Sequence, residues 1–165
     1  MITADLGFFG PAEDALSARF GSTDLHTDIL PFTHTNYYDD ELGTPLLRKF
    51  VSFARLIDPA TLADVKLLTN ELERGWAHHR ADKVARRLNL DPGYLTEAKL
   101  VLATTKDHAH RLYLRDGIYA ELTLQFRGQE FQPLGWTYPD YRTPEYLAFF
   151  ELVRAKYVRQ REEGF

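Results

Sequence analysis

Two turn signals in the second half of the chain, Asp116-Gly117 and Gly128-Gln129, restrict the possible folds more than any other feature. Each lies between short runs in which apolar and polar residues alternate, the pattern of strands with two unlike faces. Residues 110–133 therefore read as two successive hairpins, with Lys99 to Lys106 as a further strand. Register then decides which side chains share a face, because a slip of one residue carries a whole set across the sheet. A two-residue turn at Asp116-Gly117 would set Leu112 opposite Glu121 and Leu114 opposite Tyr119, mixing apolar with polar. A three-residue loop, Arg115-Asp116-Gly117 with Gly117 left-handed, instead pairs Leu114 with Ile118, Leu112 with Ala120 and His110 with Leu122. It leaves Arg111 opposite Glu121 and Tyr113 opposite Tyr119, and this is the register expected. In the second hairpin a two-residue turn at Gly128-Gln129 pairs Phe126 with Phe131 and Arg127 with Glu130.

Helical signals frame this sheet. Asp58 can cap free amides, Pro59 suits a first turn, and Leu62, Val65, Leu68, Leu72 and Trp76 recur on one face, predicting a helix over 59–77. Thr143-Pro144-Glu145 opens a helix over 144–161, with Tyr146, Phe149, Phe150, Val153 and Tyr157 as its inward stripe. Gly10-Pro11 opens a shorter one over 11–20, with Leu16 and Phe20 inward and Gly21 just beyond its end. Residues 2–9 read as a buried first strand, and Asp24 to Leu30 as a half-exposed strand ended by Pro31. Leu46 to Ile57 matches both helical and strand spacing, with strand favoured. The charged stretch His78 to Arg87 reads as an exposed connection. The expected fold is α+β: a mostly antiparallel or mixed sheet with three helices, about 11–20, 59–77 and 144–161, packed on it.

Several classes of function are excluded or disfavoured. Cysteine is absent from the 165 residues, so disulfides, thiolate catalysis and Cys-ligated metals are excluded. A net charge of −4 offers no basic field, which disfavours duplex DNA as a partner. Hydrophobic residues are 44% of the chain but interrupted by charge throughout, so no run approaches the roughly 20 apolar residues of a membrane span. The opening residues lack a basic region and a cleavage site, which points to the cytoplasm. A chain of this length buries about 70% of its unfolded surface as one domain, and with no linker or repeat in view residues 1–165 are read as a single unit. No Gly-rich loop ends in Gly-Lys-Ser/Thr and no Gly-x-Ser-x-Gly elbow occurs, so the familiar phosphate cradle and serine hydrolase signatures are missing.

Four stretches, Asn36-Tyr37-Tyr38, Asn89-Leu90-Asp91-Pro92-Gly93-Tyr94-Leu95-Thr96, Lys99 to Lys106 and Trp136-Thr137-Tyr138-Pro139-Asp140-Tyr141, together with Gly117-Ile118-Tyr119-Ala120-Glu121, carry a resemblance. Through them the chain resembles the bacterial and archaeal domain-of-unknown-function family numbered forty-four sixteen, over nearly its whole length. The resemblance implies membership without a mechanism, and it names no cofactor.

Candidate site residues follow from the hairpin register. Arg111, Tyr113, Tyr119 and Glu121 share one face, and Lys106, Asp91 and the loop from Tyr138 to Tyr141 are placed to join them. Arginine offers a planar donor fork, lysine a point charge and tyrosine a hydroxyl with a stacking face, while glutamate orients the arginine or serves as a base. Such a set suits an anionic, phosphorylated or nucleotide-like metabolite, whether bound or transformed. The plainer reading is a solvated sheet face carrying an ordinary cross-strand salt bridge. A different class of function, a non-catalytic module for protein or RNA, would use Tyr37, Tyr38, Tyr138 and Tyr141 as exposed contacts. Asn89 to Tyr94 has turn chemistry, with Gly93 free to take positive φ, and could also present Asp91 to a ligand or magnesium. Asn36 to Glu41 is a tyrosine-packed loop or an acidic rim for a cation. His108 and His110 have ligand-like spacing, with His110 facing the core, but no third ligand is nominated. Lys66 and Asn70, one helical turn apart, form either part of a polar site or solvated surface.

Overall fold

The computed structural model describes residues 1–80 and 83–164, which fold as two compact units: residues 1–57 with 67–80 and 83–90, and residues 58–66 with 91–164. The fold is α+β, and every strand pairing among the described residues is antiparallel.

The first unit holds strand β1 (Ile2–Thr3), helix α1 (Phe9–Phe20), strands β2 (Thr23–His26) and β3 (Leu30–Pro31), and the short helix α2 (Asp39–Leu42). Strands β4 (Leu47–Arg48) and β5 (Val51–Phe53) follow, then the larger part of helix α3 (Leu62–Gly75) and the hairpin β6 (His78–Arg80) and β7 (Lys83–Ala85). The order β1-β4-β3 makes one small sheet, β2 with β5 a second, and β6 with β7 a third.

Several expectations for this unit need correction. The first strand does not run from 2 to 9: Asp5 accepts from the Gly7 amide at 3.1 Å and turns the chain into a 3₁₀ turn, so the helix begins at Phe9 rather than Pro11. The strand predicted from Asp24 to Leu30 breaks after His26, and Pro31 lies inside β3 instead of ending it. Strand is the right choice for 46–57, but it comes in two short pieces. The stretch 78–87 is a hairpin and not an open connection, with Ala85 buried; residues 81 and 82 of that expectation lie outside those described.

Two apolar clusters form the interior of this unit. One gathers Ala12 and Leu16 of α1 with Leu88, Leu90, Phe20, Phe53, Leu72 and Trp76, and the other packs Ile2, Phe32, Leu42 and Leu46 together. Leu16, Phe20, Leu72 and Trp76 are residues the helical spacing aims inward. The backbone of Ile2 bonds that of Asn89 in both directions, at 2.9 and 2.8 Å, which ties the first residues to the segment after β7.

In the second unit Asp58 accepts from the Ala60 amide at 2.9 Å, the expected cap, and Pro59 begins the 3₁₀ turn that leads into α3. Strands β8 (Gly93–Leu95), β9 (Lys99–Thr104), β10 (Arg111–Arg115), β11 (Ile118–Arg127) and β12 (Glu130–Pro133) precede helix α4 (Pro144–Glu162). The sheet order is β10-β11-β9-β8, with β12 pairing the far half of β11. Helix α4 packs against β8 and β12, and Tyr146, Phe149 and Phe150 are buried.

Gly93 lies in extended β8 and does not use positive φ. A Cβ there would meet the Val101 carbonyl oxygen at 2.5 Å, so glycine is required by the close approach of β9. The turn Gly128-Gln129 has the expected register, Phe126 with Phe131 and Arg127 with Glu130. At the first hairpin, Asp116 and Gly117 have φ of 53° and 73° and form a two-residue turn with Arg115 opposite Ile118, so the three-residue loop is corrected. A bulge between Tyr113 and Arg115 then absorbs one residue on β10, and Arg111 faces Glu121 and Tyr113 faces Tyr119 all the same. Leu112, expected on an apolar face, is 74% exposed, because β10 is the sheet edge and α4 covers β8 and β12 instead.

Candidate functional site

Glu121 sits near the middle of β11, between Arg111 of β10 and Leu102 of β9. On the edge of β11 that pairs with β10 and then β12, Leu122 and Thr123 fall between the two partners. Backbone groups left inside a sheet must find partners, and here a loop supplies them. Trp136 Nε1 donates to the Leu122 carbonyl at 2.8 Å, and the Thr137 hydroxyl donates to the Thr123 carbonyl at 2.6 Å. Arg142 fastens the loop from behind, donating to the carbonyls of Thr137 at 2.9 Å and Leu134 at 2.7 Å. The motif Trp136-Thr137-Tyr138 is thereby laid beside Glu121.

The Arg111 and Glu121 side chains are each 3% exposed, so the solvated salt bridge is ruled out as the description of this pair. Arg111 Nε donates to Glu121 Oε2 at 2.7 Å, Nη1 to the Lys106 carbonyl at 2.9 Å and Nη2 to the Tyr138 hydroxyl at 3.1 Å. Burial pulls the Arg111 pKa down, but the hydrogen bond and charge of Glu121 outweigh it and the value is raised, so the cation persists. His110, half-buried at the entrance to β10, places Nε2 3.0 Å from the same Glu121 Oε2. Facing a carboxylate, that nitrogen donates. Glu121 Oε1 is buried and has no hydrogen-bond partner.

His110 brings further rings near this carboxylate. His110 stacks on Trp136 at 5.3 Å and 14°, and His108 stacks on His110 at 6.0 Å and 24°. Trp136 and Tyr138 remain 41% and 48% exposed.

Of the residues nominated from sequence, Arg111, Glu121, Tyr138 and the backbone of Lys106 come together here. Tyr113 and Tyr119 meet edge to face at 5.3 Å two positions further along the ladder, with Tyr113 exposed. Asp91 takes Lys66 as a partner at 3.4 Å, and Lys66 is buried, so it is no solvated surface lysine. Tyr141 is buried against Phe150, stacked at 5.8 Å, and Tyr38 is half-buried, so neither belongs to an exposed tyrosine patch. His110 and Trp136 are the members that hairpin reasoning misses. Trp136 carried a signal, since it opens the Trp-Thr-Tyr motif, but its target, a gap in the β11 ladder, is visible only in three dimensions.

A family model for a domain of unknown function, DUF4416, matches residues 1–157. The chain belongs to that family. No curated protein and no solved structure matches it. For this DUF4416 chain the argument about function rests on its own geometry. Among the described residues no group of three or more His, Cys, Asp or Glu is arranged to hold a metal ion, and no helix is long and apolar enough to cross a membrane.

A half-buried arginine with carboxylate partners belongs to the first unit. Arg86 grips both oxygens of Glu41 at 2.7 Å and donates through Nη1 to Glu73 at 2.9 Å and to Asn89 at 2.8 Å. Glu73 also accepts from the Leu90 amide at 2.6 Å. The hydrogen bond to Glu41, then that to Glu73, raise the Arg86 pKa against the effect of burial.

Proposed function

We propose that this DUF4416 chain is a small-molecule-binding domain whose ligand is a nucleotide-like metabolite, seated at Glu121 under the rings of His110, Trp136 and Tyr138. The observation that carries the reading is a buried carboxylate with one oxygen held by two donors and the other by none, beside partly exposed aromatic rings. Small-ligand sites combine apolar and aromatic surface with a few fixed polar groups, and this cluster has that composition. Arg111 is committed to Glu121, Lys106 and Tyr138, so its role is to fix the carboxylate rather than to offer an open fork to a phosphate. The ring of the ligand, more than its anionic part, is what the cluster addresses.

The test is thermal denaturation of the full chain in the presence of nucleosides, nucleotides and sugar phosphates. Nucleosides and nucleotides are expected to raise the midpoint alike and sugar phosphates to leave it unmoved; a ligand at about 100 times its Kd adds about 2.7 kcal/mol. No shift with any compound would overturn the reading.

A further inference from the structure

The geometry points to a ligand that donates an N–H from an amino group on a planar heterocycle to Glu121 Oε1, an inference that rests on the small-molecule reading above. A guanidinium facing a carboxylate commonly uses two N–H groups on two oxygens. Here only Nε of Arg111 meets Glu121, because Nη2 is turned to the Tyr138 hydroxyl. Oε2 therefore receives both Arg111 and His110, and Oε1 receives nothing while buried. A buried carboxylate oxygen accepts and cannot donate, so the group complementary to it is an N–H or O–H.

The surroundings narrow that donor. The charge of Glu121 is already countered by Arg111 at 2.7 Å, which favours a neutral amino group over an ammonium ion. The near-parallel rings of Trp136, His110 and His108 favour a flat partner over an aliphatic alcohol. Arg111 and Glu121 are fixed on adjacent strands, whereas Trp136 and Tyr138 stand on a loop with much of their surface exposed. A flat ligand that reaches Oε1 does so among these rings, with Trp136 kept in place by its bond to the Leu122 carbonyl.

Isothermal titration of the full chain with two pairs, adenosine against inosine and cytidine against uridine, tests this, because in each pair the amino group becomes a carbonyl oxygen and the adjacent ring nitrogen changes from acceptor to N–H, so the second member offers only a ring N–H. The amino member of each pair is expected to bind at least about tenfold tighter. Equal affinity within both pairs overturns the inference and leaves the small-molecule reading standing. Binding confined to compounds without a ring amino group does the same. Absence of binding by the nucleosides, nucleotides and sugar phosphates together defeats both. In Glu121→Gln the amide keeps a carbonyl for Arg111 and sets an NH₂ at the Oε1 position, so the preference within each pair should reverse; a folded variant that keeps the native preference overturns the inference. The native pairs decide the matter if that variant does not fold.

Discussion

Arg86 in the first unit and Arg111 in the second each hold a buried glutamate, but they leave different residues of unmet chemistry. Around Arg86 both oxygens of Glu41 and both of Glu73 have donors, and Asn89 takes a further N–H. Around Arg111 one oxygen of Glu121 has two donors and the other has none. A fully satisfied buried network rigidifies the fold that contains it, whereas a partly satisfied one stores a cost of about 1–3 kcal/mol for the missing bond. On that difference rests the proposal that the first is a structural clasp and the second a binding site.

The largest effect that could break this comparison is at the clasp. Arg86→Ala leaves the Glu73 carboxylate, 4% exposed, with only the Leu90 amide, and leaves Glu41 without its bidentate partner. Removing one partner of a buried ion pair costs about 3–5 kcal/mol, read as a fall in the urea midpoint at unchanged slope. Arg86→Lys should recover only part of the loss, since a point charge cannot reproduce the planar fork on Glu41. A loss below about 1 kcal/mol for Arg86→Ala would mean the network is not a clasp.

How much of each arginine was legible in the sequence follows from where its partners lie. Arg111 and Glu121 are ten residues apart across one hairpin, so alternation of apolar and polar residues was enough to pair them. The pairing survived an error in the turn, because a two-residue turn with a bulge on β10 shifts the strands by the same one residue as a three-residue loop. Burial of the pair was not legible, since the cover comes from residues 134–142 filling a gap between β10 and β12 on β11. Arg86 reads as one more charge in a basic stretch, because Glu41 stands 45 residues away and no local pattern joins them. Helices announce themselves through caps and spacing within a few residues, as at Asp58-Pro59, and the small sheets of the first unit, with strands of two to four residues, do not.

A smaller effect sharpens the comparison at the hairpin itself. Gly117 has φ of 73°, where a side chain costs about 1–2 kcal/mol, and nothing lies near its missing Cβ, so Gly117→Ala should destabilise through backbone strain alone. Equilibrium unfolding checks the magnitude. An unchanged midpoint would mean the turn relaxes to another type at no cost, and the register that sets Arg111 opposite Glu121 would then owe nothing to this turn.

The smallest expected change in stability is also the most discriminating. Replacing both members of a buried ion pair with apolar residues of similar volume is often neutral or stabilising, because the cost of desolvating two charges disappears with them. For Arg111→Met with Glu121→Leu that trade is favourable: the unmet Oε1 goes too, and the groups deprived of Arg111 are the Lys106 carbonyl and the partly exposed Tyr138 hydroxyl, both within reach of water. The midpoint should lie within about 1 kcal/mol of the native chain or above it, while the nucleoside response disappears. The matching change at the clasp, Arg86→Met with Glu73→Leu, removes the acceptor of the buried Leu90 amide and takes the bidentate guanidinium from Glu41, and it should destabilise clearly. Equal losses in the two doubles would place Arg111 and Glu121 in the same structural class as Arg86 and remove the reason to look for a ligand there.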